Sequence, residues 1–307
     1  MNVIGIDTSN YTTSIAWYNG TSGVNCSKLL PVKQGELGLR QSDAVFAHIK
    51  GLPELSGRLF SDIRPENVCA VGVSTRPRAV EGSYMPCFMV GYSHAKLLSD
   101  MFQVPLIQVS HQQGHVAASL WSAGRLDLMD TPHLAWHLSG GTTELLLVEP
   151  EGRNVVCTKI GGTTDISAGQ LIDRTGQILG LSFPSGKSLD ELSRHAGGKE
   201  VFRVKCDGSY FSLSGVQNKV QQFYKKKPSP EETAAYALRC VSGAVYKATE
   251  QALSRFPGLE VVFSGGVASN SMLRQVMEPL SPIFAQPQYS TDNAMGVAVL
   301  AHRIGEG

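Results

Sequence analysis

The sequence has 307 residues, with 27 Lys and Arg against 26 Asp and Glu, a formal net charge of +1. With 42% hydrophobic and only 17% charged residues, it is neither a disordered nor an acidic-tail protein. It has no net positive field of the kind that coats nucleic acid, so any RNA contact must be local. At about 150 residues per domain, the length predicts two domains or one large one.

The opening MNVIGIDTSNYTTS lacks the basic and apolar regions of a signal peptide, and no apolar run reaches the ~18 residues that a membrane span needs. The six cysteines, at 26, 69, 87, 157, 206 and 240, are scattered without a CxxC pair. Reduced structural thiols and a cytoplasmic protein away from membranes are the expectation.

In chain order, a strand over Val3 to Asp7, a polar turn and a second strand over Ser14 to Tyr18 come first. A helix is predicted over Ser42 to Phe60, broken or kinked at Pro53. The short strand Ala70 to Ser74 and a buried helix over Cys87 to Phe102 follow. The opening grammar returns at Leu134 to Leu138, Ser139-Gly140-Gly141-Thr142-Thr143 and Glu144 to Val148, with Ser9, Thr12 and Thr13 matching Ser139, Thr142 and Thr143. A second echo relates Ala70–Ser74 to Val261–Gly266. A long helix over Glu231 to Arg255 and a last helix over Thr291 to Ile304, capped by Ser290 or Thr291, complete the chain. Two echoes in the same order predict a duplicated α/β protein with a ligand site between its halves.

Three turns have phosphate-binding chemistry, because small residues expose backbone N–H groups and hydroxyls. They are Ser139–Thr143, Ser264-Gly265-Gly266 before a helix near Asn270, and Pro184-Ser185-Gly186. Each could equally be a plain tight turn. No GxxxxGK[ST] or GxGxxG string occurs. Val104 to Val109 reads as a strand, Ser110 as an N-cap, and His111-Gln112-Gln113-Gly114-His115 as a helix start that places two imidazoles on one face. The pair can be metal ligands or ordinary helix residues. Gln112 cannot serve as the general base that HExxH proteases use, so proteolysis is not expected. Asp292 is the candidate third ligand, and its alternative role is to cap the last helix. Lys225-Lys226-Lys227 could meet RNA phosphate or simply end a helix.

Several strings together resemble the universal tRNA threonylcarbamoyl-transferase family, TsaD or Gcp-like, in the form of a divergent bacterial paralogue. They are HQQGH at 111–115, LSGGT at 138–142, Ala168-Gly169 with Asp173, GLSFPSG at 180–186, FSLSG at 211–215, GGVASN at 265–270 and TDN at 291–293. The resemblance implies an actin-like ATPase fold, a duplicated ribonuclease H-like architecture with two lobes around a nucleotide cleft. The expected lobes are 1–109 with 292–307, and 110–291. It implies that His111, His115 and Asp292 hold one divalent metal, iron or zinc, with His137 as a further candidate ligand because it shares a strand side with Ser139. Otherwise His137 is a hydrogen-bonded strand residue. It implies that Ser139, Gly140, Gly141, Thr142, Asp173, Gly186, Gly265, Gly266 and Asn270 contact ATP or an adenylate. The implied reaction moves threonylcarbamoyl from its adenylate to an anticodon-loop adenosine of tRNA. Family partner proteins, and a homodimer or a heterodimer with a related paralogue, are implied with it.

The match fails in places. The family opening ETSCDET is Asp7 to Thr13 here, with Tyr11 and Thr12 replacing two acids, which leaves Asp7 and Thr12 as catalytic candidates. The GPG loop is Arg76-Pro77-Arg78, and DDAAGE is Asp165 to Gln170 with two acids lost. Three readings compete: a divergent threonylcarbamoyl transferase, a nucleotide- and metal-binding paralogue with another carbamoyl-transfer or regulatory role, and a non-catalytic partner.

Overall fold

The computed structural model of the protein describes residues 1–9, 11–31 and 40–305. Asn10 of the opening turn and residues 306 and 307 of the expected first lobe lie outside the described residues.

The chain divides into two compact units, one made of 1–131, 149–157 and 291–307, the other of 132–148 and 158–290. The first unit carries β1 (Asn2–Thr8), β2 (Thr12–Tyr18), β3 (Gly23–Leu29), β4 (Val68–Arg76) and β5 (Leu106–Ser110), ordered β3-β2-β1-β4-β5. β1 to β3 form an antiparallel meander, and β4 and β5 add in parallel. Its helices are α1 (Gln41–Leu59), α2 (Phe88–Phe102), α3 (His111–Ser122) and α9 (Met295–Gly305).

The second unit holds β6 (His133–Leu138) and most of β7 (Thr143–Glu151) and β8 (Asn154–Thr163). β9 (Cys206–Asp207), β10 (Tyr210–Phe211), β11 (Val261–Ser264) and β12 (Ile283–Phe284) complete its sheet. Its helices are α4 (Ala168–Ile178), α5 (Gly186–Ser193), α6 (Ser214–Lys225), α7 (Pro230–Arg255) and α8 (Ser271–Met277). The order β12-β11-β6-β7-β8-β10-β9 repeats the first sheet when β6, β7, β8, β11 and β12 stand for β1 to β5. β6 and β7 are antiparallel, and β11 and β12 add in parallel. The duplication expected from the two echoes is thus a topological fact, and the architecture is that of actin-like ATPases. The short β10–β9 pair extends the second sheet beyond β8.

β1 is central and buried on both faces, which its Val-Ile-Gly-Ile run suits. Ile4 and Ile6 pack with Leu52, Leu55 and Leu59 of α1 and Ala95 of α2. On the opposite face α9 comes so near that a Cβ at Gly5 would lie 2.7 Å from the Ala294 carbonyl. α9 also crosses α3: a Cβ at Gly296 would lie 1.8 Å from the Gly114 carbonyl oxygen. That crossing is why the first unit runs to Thr131, past the expected boundary at Val109. In the second unit Trp136 is fully buried in the core with α4, α5 and α7, and its indole N–H donates to Thr249 Oγ1 at 2.9 Å.

Two predicted elements differ. α1 runs unbroken through Pro53. The carbonyl four residues back, at Ile49, loses its helical donor, but Ile49 lies on the exposed face where water replaces it. The last helix starts at Met295 rather than Thr291, because Asn293 Oδ1 accepts from Met295 N at 3.0 Å and takes the capping role assigned to Ser290 or Thr291. No described helix is long and apolar enough to cross a membrane.

One substitution has opposite expected effects at two helical glycines. Gly296→Ala drives a methyl into the α3 backbone and should destabilise by about 1–3 kcal/mol or more. Gly57→Ala on α1, whose Cβ meets nothing within 4 Å, should stabilise by about 0.5–1 kcal/mol. Urea unfolding midpoints check both signs.

Candidate functional site

The histidine pair owes its placement to a cap. Where β5 ends, Ser110 Oγ accepts from Gln113 N at 3.2 Å while Gln113 Oε1 accepts from Ser110 N at 2.8 Å. This reciprocal arrangement fixes the first turn of α3, so His111 and His115 rise together from one face. Their Nε2 atoms stand 2.9 Å apart. Asp292, in the segment leading into α9, brings Oδ1 to 3.1 Å from His115 Nε2 and 3.6 Å from His111 Nε2. Among the described residues these three form a group whose ligand atoms all lie within 4.8 Å of one another. Two imidazoles and one carboxylate leave coordination positions open, as a catalytic rather than a structural metal site does.

A surrounding layer orients the three. Asp7, at the end of β1 and 1% exposed, accepts from His111 Nδ1 at 2.7 Å and from Ser9 N at 2.9 Å. A proton held on Nδ1 leaves the Nε2 lone pair for a metal, the arrangement that carboxylates commonly impose on ligating histidines. Thr12 Oγ1 donates to Asp292 Oδ2 at 3.3 Å. Asp7 and Thr12, the catalytic candidates, therefore stand behind the ligands. Gln112 N donates to the Pro77 carbonyl, which ties the Arg76-Pro77-Arg78 loop to the start of α3. Tyr11 is exposed.

Burial disfavours a charge on His111, but Asp7 and Asp292 outweigh it and push its pKa up to about 10. Burial would raise both aspartates, yet His111 holds Asp7 below its ordinary value, and His111 and His115 hold Asp292 well below. The sign of the linkage follows. The raised imidazole stabilises the metal-free fold fully below about pH 6.5, and that contribution is lost as pH rises through about 10. The depressed carboxylates stabilise above about pH 4 and lose this as pH falls.

The second unit holds a cavity of about 510 Å³, within the usual range for small-ligand sites. Gly140, Asp173, Gly186, Gly266 and Asn270 of the expected nucleotide set line it. Ser139 and Thr142 close the neighbouring turn, with Ser139 N donating to the Thr142 carbonyl at 2.8 Å and Thr142 N to Ser139 Oγ at 3.0 Å. Gly141 lies within that turn. Gly265 has φ of 90° and sits against the Leu138 carbonyl, a place where a side chain is excluded. Ser167 Oγ donates to the Gly140 carbonyl at 2.6 Å, which pins the turn to the start of α4. Asp173 Oδ1 accepts from Ser185 N at 2.8 Å, and burial raises its pKa. His137 stands on β6 in this unit, opposite Glu144 and Ser264, while the three grouped ligands belong to the first unit.

Other lining residues were not singled out by sequence: Ile172, Lys187, Asp190, Glu191 and Arg194. The apolar positions Leu189 and Leu192 at helical spacing could have exposed α5 and its polar face. Asp165 also has a partner set no motif signalled. It accepts from Ser212 Oγ and Ser214 Oγ at 2.5 Å each and from Leu213 N at 2.8 Å, which holds its pKa far below the usual carboxylate range. Asp165 thereby fastens the FSLSG segment at the start of α6.

A family model for tRNA N6-adenosine threonylcarbamoyltransferase, TsaD, matches residues 38–299. The chain is 32% identical to the protein of that name from Carboxydothermus hydrogenoformans, over 85% of this chain and 78% of that one. It is 30% identical to that from Thermosipho africanus, over 99% and 94%. Among solved structures, full-length HypF in a phosphate- and nucleotide-bound form superposes with a TM-score of 0.62 at 15% identity, over all of this chain and 47% of that longer one. The activator of 2-hydroxyisocaproyl-CoA dehydratase from Clostridium difficile with bound ADPNP gives 0.57 at 15%, over 100% and 96%. At such identities the structural likeness concerns the fold alone.

The site electrostatics give a metal-binding prediction. Because His111 is protonated at neutral pH without metal, zinc added to metal-free protein in weak buffer at pH 7.5 should release about one proton per ion, and affinity should rise with pH. Asp7→Asn should weaken zinc by about 10–100-fold. Proton release recorded by an indicator dye, with competition against a chelator, measures both.

Proposed function

The chain belongs to the tRNA N6-adenosine threonylcarbamoyltransferase family, and from that premise we propose that it is a metal-dependent, adenylate-binding transferase. Its donor would be threonylcarbamoyl-AMP and its acceptor an adenosine of the tRNA anticodon loop. The observation that carries this reading is the convergence of His111, His115 and Asp292, drawn from chain positions far apart, onto a group with ligand atoms within 4.8 Å. The donor set fits iron or zinc, with Nε2, Nε2 and Oδ1 as the ligating atoms. When bound, such an ion supplies Lewis acidity to a carbonyl or phosphate oxygen.

The residues of the chain perform the remaining tasks. Asp7 keeps His111 in the tautomer with a free Nε2 lone pair, and Thr12 holds the second oxygen of Asp292. In the second unit the small residues Gly140, Gly186 and Gly266 let a nucleotide approach the backbone. Asp173 keeps one oxygen on Ser185 N, leaving the other to accept from a ribose hydroxyl. Nucleotides bound in the two solved structures of the same fold support this use of the pocket. In the transfer, the exocyclic amine of the acceptor attacks the carbamoyl carbon and loses a proton. The bond from that carbon to the phosphate oxygen breaks, and AMP departs. A net charge of +1 gives little attraction for tRNA, so partner proteins or a local patch supply it.

One observation favours a second reading, a related carbamoyl transfer to another acceptor. Tyr11 and Thr12 stand where the family opening has two acids, and Thr12 is committed to Asp292.

Metal-loaded protein incubated with threonylcarbamoyl-AMP, tRNA and family partner proteins should yield the modified adenosine in digested tRNA, read by mass spectrometry. His111→Ala should lower the yield about 100-fold or more. Absence of product where the Carboxydothermus relative is active would reject threonylcarbamoyl transfer to tRNA. His137→Ala, read by metal affinity, tests the further ligand.

A further inference from the structure

Asp190 on α5 is the hub of a buried hydrogen-bond cluster in the wall of the second-unit pocket. Its Oδ1 accepts from Asn270 Nδ2 and Ser271 Oγ at 2.8 Å each and from Ser271 N at 3.1 Å. Its Oδ2 accepts from Arg194 Nη2 at 2.8 Å. Asp190 and Asn270 are each 8% exposed, and both line the pocket. Asn270 in turn caps α8, its Oδ1 accepting from Leu273 N at 2.9 Å.

A side-chain amide can ordinarily flip, exchanging its donor and acceptor ends at little cost. Here both ends are specified. A backbone N–H accepts only the oxygen as partner, and an ionised carboxylate accepts only the NH2 group. One N–H and one lone pair of Asn270 remain, in a fixed order. Adenine and hypoxanthine differ in that order: adenine presents an amino donor beside a ring acceptor, hypoxanthine a carbonyl acceptor beside a ring N–H. A wall whose polar groups are locked matches one pattern and leaves unpaired groups against the other.

We infer that Asp190 is a specificity-setting positioning residue, which locks the Asn270 amide so that the pocket accepts adenine and rejects hypoxanthine. The inference rests on the adenine-nucleotide reading of this pocket. Arg194 balances the buried charge of Asp190, and its own exposure keeps it clear of the base-reading task.

The test is calorimetric binding of AMP and IMP to the full chain and to Asp190→Asn. The two ligands carry the same phosphate and ribose, so their affinity ratio isolates the base edge. The wild type should prefer AMP by about tenfold or more, and the variant by less than about threefold, because a neutral amide at position 190 supports either orientation of Asn270. A merely structural role would weaken both ligands equally and keep the ratio, which overturns the assignment. If Asp190→Asn does not fold, Asp190→Ser removes the same carboxylate and is read identically. A wild type that binds both ligands equally overturns the inference without any variant. A wild type that binds neither ligand overturns the nucleotide reading itself, a distinct result.

Discussion

The closest approach on which the first unit depends is that of α9 to α3 and β1. Side chains there are reduced to hydrogen, with Gly296 against Gly114 and Gly5 against the Ala294 carbonyl. Backbones that meet this closely have little freedom to slide, because interiors packed to crystal density resist any added volume. The segment entering α9 is fixed by the same contact, and it carries Asp292. Two further bonds hold that entry, from Ala294 N to Asn25 Oδ1 and from Met295 N to Asn293 Oδ1. The three ligands are therefore positioned by rigid elements rather than by a loop, which is what a catalytic constellation requires.

The electrostatics of the group oppose its metal-free state in an instructive way. Two carboxylates and two imidazoles are packed into a space with little water, and one imidazole carries a proton to balance them. A divalent cation takes over that balancing role, so the same residues serve two charge states without rearrangement. Asp7 contributes to both. It pairs with a protonated His111 in one state and orients a neutral His111 in the other. Replacing a family Glu by the shorter Asp at position 7 is compatible with this contact, since the 2.7 Å bond is made.

Much of this was legible in the sequence. The HxxxH spacing, Ser110 as cap, the glycine turns and the duplicated hairpin are local signals, and each depends on residues a few positions apart. The TDN string supplied Asp292 by resemblance, but its distance from the histidines is a tertiary property. What escaped reading was of that tertiary kind. Asp7 contacts His111 across 104 positions, and Asp190 contacts Asn270 across 80. Pro53 misled because its propensity cost is real, yet an exposed carbonyl makes it tolerable. The start of α9 misled because Asn293 competes with Thr291 for the cap, and nothing local ranks the two.

The first unit is assembled from segments that bracket the second, with Thr291–Gly307 emerging from the ribosome after all of 158–290. Until then β1 and β4 lack the helix that covers one face, and the histidines lack their carboxylate. The order of synthesis thus delays metal capture until both units have been made. A chain stalled before position 291 would present a bare apolar sheet face, which is the mark by which chaperones and proteases recognise unfinished proteins.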